Sequence, residues 1–137
     1  MKLSDLKINS DAVEQGAWVN DIADMPDLRL KVRGFGNVDD RRIQDLEYQK
    51  LPRALKVRGN LSPAGQDAIM TKRLLGAILV DWDGLTGDDD KPIPYSKEMA
   101  EQLLSDKQYS PFRRAVLWAA SIVESETKEG REEDAKN

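Results

Sequence analysis

ILVDWDGLTGDDDKPIPY, residues 78–95, decides how this chain is read. An apolar run at helical spacing reaches a tryptophan held between two aspartates, Asp81-Trp82-Asp83, meets Gly84 and stops. Glycine adopts at little cost the left-handed conformation that ends helices. Beyond it come Asp88, Asp89 and Asp90, then Pro92, Pro94 and Tyr95. This order predicts a core helix whose last aromatic side chain is pinned, followed by a loop of fixed geometry that presents charge. No catalytic constellation accompanies it. Asp81, Trp82, Asp83, Gly84, Pro92, Pro94 and Tyr95 therefore read as a structural motif or a docking surface.

Upstream, Ser62-Pro63 is a strong helix start, with serine as N-cap and proline at the first helical position. The helix is expected to run to about Trp82, with Ala68, Leu74, Leu75, Ile78, Leu79 and Trp82 forming its core stripe. Downstream, Ser96 opens a helix to about Leu104, with Met99, Ala100, Leu103 and Leu104 inward. Ser110-Pro111 repeats the capping signal, and Phe112, Val116, Ala119, Ala120 and Val123 share a face widened by Leu117 and Trp118.

Further toward the N-terminus, residues 28–33 alternate Leu28, Leu30 and Val32 with Arg29, Lys31 and Arg33, the period of a half-buried strand. Residues 17–20 pair with them as a small hairpin, turned at residues 24–27 around Pro26. Such a hairpin is marginal alone and must pack on something. Asn37 or Asp39 caps a helix to about Leu51, carrying Val38, Ile43, Leu46 and Tyr48. Pro52 closes it, and Gly59-Asn60 marks a further turn. Residues 1–16 read as an irregular lead. The expectation is a mainly α single domain over residues 1–123, with about four helices and a small N-terminal β-hairpin (α+β is the alternative label). Residues 124–137, without a large apolar side chain, are expected to be an acidic disordered tail.

The 137 residues contain neither Cys nor His. That removes disulfides, thiolate metal sites, cysteine nucleophiles and the usual general base at neutral pH. The reading is a protein that is not an enzyme and holds no catalytic residue, metal or cofactor. The start, MKLSDLKINSD, has no apolar signal-peptide core, and no apolar run is long enough to span a bilayer. A cytoplasmic location without membrane contact is expected.

Charge is segregated about a net of −4. Residues 29–58 hold nine Lys/Arg against four Asp/Glu, whereas residues 81–108 hold three against eight. Opposed segments can attract one another within or between molecules. The basic stretch, with Phe35 and Tyr48, raises nucleic-acid binding, but the chain is acidic overall and no DNA-reading motif appears. A calcium loop starting at Asp81 fails, because its sixth and twelfth positions hold Thr86 and Pro92 instead of Gly and Glu. Asp81 and Asp83 could form a two-carboxylate pair, but no aromatic platform accompanies them if Trp82 is core. Gly34-Phe35-Gly36 lacks the remainder of a phosphate loop and reads as a strand terminator.

Taken together, Gly16-Ala17-Trp18-Val19, the strand of residues 28–33, the apolar run into Asp81-Trp82-Asp83-Gly84-Leu85 and the segment Pro92-Ile93-Pro94-Tyr95-Ser96 resemble the tail assembly chaperones of long-tailed (siphovirus-type) bacteriophages and prophages. The resemblance covers roughly residues 10–123. It implies a largely helical, self-associating protein that binds the tape measure protein, keeps it soluble until the tail tube polymerises, and is absent from the virion. The resemblance also leaves room for the major tail protein as a further partner. Many such chaperones have a second form lengthened by a frameshift, and the acidic tail fits the end of the short form. A client groove would lie between the second and fourth long helices, using Leu74, Leu117, Trp118 and Ile122. Alternatives are a structural virion component, such as a minor tail or head–tail joining protein, and a nucleic-acid-binding module.

Overall fold

A computed structural model describes residues 1–7, 10–52 and 62–125. In chain order the main elements are α1 (Ser10–Gln15), β1 (Ala17–Val19), β2 (Arg29–Val32), α2 (Val38–Gln49), α3 (Pro63–Arg73), β3 (Leu79–Asp83), α4 (Lys97–Ser105) and α5 (Ser110–Ser125). A π-helical turn, Leu74–Ile78, joins α3 to β3. The fold is mainly α with a small N-terminal hairpin, as the sequence indicates.

The caps form as their residue types require. Asn37 accepts the Asp40 N–H, Ser62 that of Gly65 and Ser96 that of Met99, each supplying an acceptor for a helix N-terminus. Before α5 the capping role falls to Asp106, which accepts from Gln108 at the head of a 3₁₀ turn; Ser110 is already helical. Residues 1–16 are not wholly irregular. α1 buries Ala12 and Val13, and its six residues are too few to reveal a helical period. α5 includes Glu124 and Ser125, which the sequence assigns to the tail. The turn expected at residues 59–60 and the rest of the segment expected to be a tail lie outside the described residues.

The larger correction concerns residues 79–83. The helix expected to reach Trp82 ends at Ile78, and the chain becomes a third strand. The sheet order is β1-β2-β3, all antiparallel, with Ala17 opposite Val32, Val19 opposite Leu30, and Leu30 opposite Trp82. Lys31 faces Asp81 and Val32 faces Leu79, so Val80 is an extra residue. That bulge lets Leu79 and Trp82 both turn inward despite an odd spacing. The same spacing suits a helical stripe, which is why the sequence reads as one helix. Ala68, expected inward, is exposed.

Leu30, Val32, Ile78 and Trp82 meet Ala100, Leu104, Phe112, Val116 and Ala120 in one core between the sheet and helices α4 and α5. Trp82 is the hub. Its indole N–H donates to the Ile93 carbonyl at 2.7 Å, and its ring meets Tyr95 and Phe112 edge-on at 5.0 and 5.7 Å. Gly84 has φ +83°, and a Cβ there would lie 1.8 Å from the Asp27 carbonyl oxygen. It ends a strand, not a helix, and its lack of a side chain lets the β1–β2 connection pass over it.

A buried polar node holds the helix-to-strand switch. Asn37 and Asp40 are both fully buried. Asp40 receives Arg73 Nε and Nη2 at 2.6 and 3.0 Å and the Gly36 N–H at 2.8 Å. Asn37 Nδ2 donates to the Gly34 and Ala77 carbonyls, and the Arg33 N–H takes the Ile78 carbonyl. The carbonyls released where the helix stops thus find donors. Burial alone would raise the Asp40 carboxyl, but the Arg73 bond, the Gly36 N–H and the Arg73 charge hold it below its ordinary value.

Two outcomes follow. Asp40→Ala leaves Arg73 without its buried partner and is expected to lower unfolding free energy by about 3–5 kcal/mol in urea titrations. Because Asp40 titrates lower in the folded chain, its contribution is complete above the usual carboxylate range, about pH 4, and is lost as pH falls through the depressed value. The Asp40→Ala variant should therefore show a smaller loss of stability between neutral and strongly acidic pH than the parent. Gly84→Ala, meeting both a positive φ and the Asp27 carbonyl, is expected to cost more than about 1 kcal/mol by the same titration.

Candidate interaction surface

Residues 20–28 connect β1 to β2 by two tight turns, Met25 N–H to the Ile22 carbonyl and Leu28 N–H to the Met25 carbonyl. Asp21 and Asp24 have φ of 57° and 65°, a region aspartate tolerates better than most residues. The connection buries Ile22 and half-buries Met25, and it lies beside the first half of α5.

Between the two runs a groove. One hollow of about 530 Å³ has Ile22, Met25 and Ala115 among its walls and Trp118 at its rim. An adjoining hollow of about 420 Å³ shares Asp24, Met25 and Pro111 with it and reaches Tyr109 and Leu85. Trp118 and Tyr109 each keep 42 % of their surface exposed. Large exposed aromatics beside an apolar hollow are the usual composition of a protein-binding hot spot. Charge borders the groove: Asp24 and Asp27 on the connection, Arg114 on α5.

The residues expected to hold a client divide. Leu74 is fully buried and belongs to the core. Leu117 and Ile122 are half-buried, and Trp118 is exposed. Pro111, Ala115, Trp118 and Ile122 follow one another at four-, three- and four-residue steps and so lie along one face of α5, whereas Leu117 is turned from it. This groove runs between α5 and the β1–β2 connection, a different pairing of elements from the second and fourth long helices that the sequence suggested. Ile22, Met25, Tyr109 and Arg114 escaped sequence reasoning; the signal available was the continuation of the Trp118 stripe back to Ala115 and Pro111. A third hollow, about 440 Å³ between α2 and α3, has Tyr48, Ile69 and Met70 beside Gln44, Asp45 and Arg73.

The carboxylates beside Trp82 have partners. Asp81 accepts the Trp82 N–H at 2.8 Å, and Asp83 lies 3.7 Å from Arg29, whose guanidinium also covers the Trp18 ring. Both acids sit on strand β3 beside these partners. Burial, then the Asp81 charge, pushes the Tyr95 phenol above its ordinary value. Asp89 accepts the Lys91 N–H within the acidic loop. Among the described residues no group of three or more carboxylates could hold a metal. Much of the basic stretch is also paired: Arg33 with Glu14 and Asp39, Arg42 with Asp39, Lys50 with Glu47. The Arg33 hydrogen bond lowers Asp39, and the Lys72 bond lowers Glu47.

No curated protein and no solved structure matches the chain. Among the described residues no helix is long and apolar enough to cross a membrane. A family model described as YdaY prophage protein matches residues 35–137. The match contains α5, and hence the Trp118 wall of the groove, while the β1–β2 wall precedes it. Spanning about three quarters of the sequence, it establishes the relationship: the chain belongs to the YdaY prophage protein family.

Proposed function

We propose that this prophage protein is a non-enzymatic tail assembly chaperone that binds the tape measure protein in the bacterial cytoplasm and keeps it soluble during tail morphogenesis. The observation that carries the reading is the open apolar groove edged by Trp118 and Tyr109. A holdase needs a surface that covers apolar side chains, and a groove beside a rigid helix suits an amphipathic helical client. A tape measure protein is long and helical, so many copies could occupy one client and gain by avidity. Membership of a prophage family and the resemblance of residues 10–123 to tail assembly chaperones support the same role. Self-association and contact with the major tail protein belong to the proposal. The rival, a structural virion component, would remain in the finished particle.

Co-expression with the tape measure protein of the same prophage tests the reading. The soluble fraction of that protein should rise severalfold, and purified particles should lack the chaperone. An unchanged soluble fraction, or stoichiometric retention in particles, contradicts it.

A further inference from the structure

We propose that the groove between α5 and the β1–β2 connection selects an amphipathic helix whose apolar stripe is bordered by lysine or arginine, with that basic border lying against Asp24 and Asp27. The inference rests on the chaperone reading only for which protein carries the helix.

Size fixes the first part. Pro111 to Trp118 covers eight residues of α5, seven steps or about 10 Å of axial rise, and Tyr109 extends the apolar track by about half a further turn. That length accommodates side chains at i, i+3 or i+4, and i+7 of a partner helix, about two turns. The apolar surfaces of Ile22, Met25 and Ala115 receive that stripe.

Charge fixes the second part. Residues 20–28 contain Asp21, Asp24 and Asp27 and no lysine or arginine. Among the described residues, the side chains of Asp24 and Asp27 make no hydrogen bond or ion pair, unlike Asp39, Asp40, Asp67 and Asp83. Across the groove, Arg114 is likewise unpaired among the described residues, whereas its neighbour Arg113 binds Asp67, Thr71 and the Leu104 carbonyl. The two walls therefore carry opposite, uncommitted charge, with acid in excess. A helix with cations on one border meets that field favourably, and a helix with acids on both borders meets two like charges. Asp24 sits at φ 65°, where asparagine is tolerated, so the carboxylate can be neutralised without disturbing the turn.

The full chain is titrated by fluorescence anisotropy with two labelled peptides of about 18 residues, long enough to form a helix on binding. Both carry leucine and methionine at i, i+3, i+4 and i+7; one has lysine at the bordering positions, the other glutamate. The lysine peptide is expected to bind about five- to tenfold more tightly at low salt, with the difference collapsing near 1 M salt. Asp24→Asn with Asp27→Asn should remove the preference, whereas Asp45→Asn with Glu98→Gln, which removes equal charge outside the groove, should keep it. Trp118→Ala, a surface change checked by circular dichroism, should weaken both peptides. Equal binding of the two peptides, a preference that survives the Asp24/Asp27 substitutions, or a groove filled by a second copy, seen as Trp118→Ala dissociating an oligomer without affecting either peptide, overturns the inference. Protection of the tape measure protein by the Trp118→Ala variant as good as by the parent removes the groove but leaves the chaperone reading. Selective lysine-peptide binding without any such protection does the reverse.

Discussion

The paired hydrogen bonds from Arg73 to the fully buried Asp40 carboxylate are the constraint on which the rest of the structure depends. A fully buried carboxylate is tolerated only when its acceptor capacity is filled, and here the guanidinium and the Gly36 N–H fill it. The pair ties the N-terminus of α2 to the last turn of α3. Asn37, one element of the same node, takes the Ala77 carbonyl and so fixes where the helix gives way to strand. Phe35 stacks beneath Arg73, at 5.1 Å from its charge centre, and closes the node on its remaining side. Remove the pair and the switch loses both its anchor and its register.

From that switch the geometry propagates to the groove. β3 pairs with β2 and presents Trp82 to Phe112 at the start of α5. Gly84, immediately after β3, passes beneath Asp27 so closely that no side chain fits. Those two contacts fix the separation between the β1–β2 connection and α5, which is the width of the groove. Arg113 binds α5 back to α3 and α4, leaving Arg114 and Trp118 on the open side. The surface thus has a rigid scaffold on both walls, which reduces the ordering entropy lost on binding.

Local signals were legible and long-range ones were not. Ser62-Pro63, Ser96 and Asn37 each declare a helix start, because one side chain and one nearby N–H suffice. The alternation of residues 28–33 declares β2 in the same way. β3 escaped because Leu75, Ile78, Leu79 and Trp82 satisfy helical spacing as well as a bulged strand does, and only pairing with β2 decides between them. Asp40 gave no sign of burial, since its partner lies 33 residues away. The candidate site was half legible. Trp118 and Ile122 lie on the expected helix, but the facing wall comes from residues some ninety positions earlier, and Leu74 itself is fully absorbed by the core. The motif around Trp82 builds the groove's frame through its bond to the Ile93 carbonyl and its edge-on contact with Tyr95.

The central claim is that a partner helix lies along α5 against the β1–β2 connection. Amide hydrogen exchange of the full chain, alone and with the tape measure protein, tests it most directly. The account predicts slowed exchange concentrated in residues 22–28 and 109–118, with the core strands unchanged. Protection confined to other surfaces, or none under conditions where the two proteins co-purify, would contradict it.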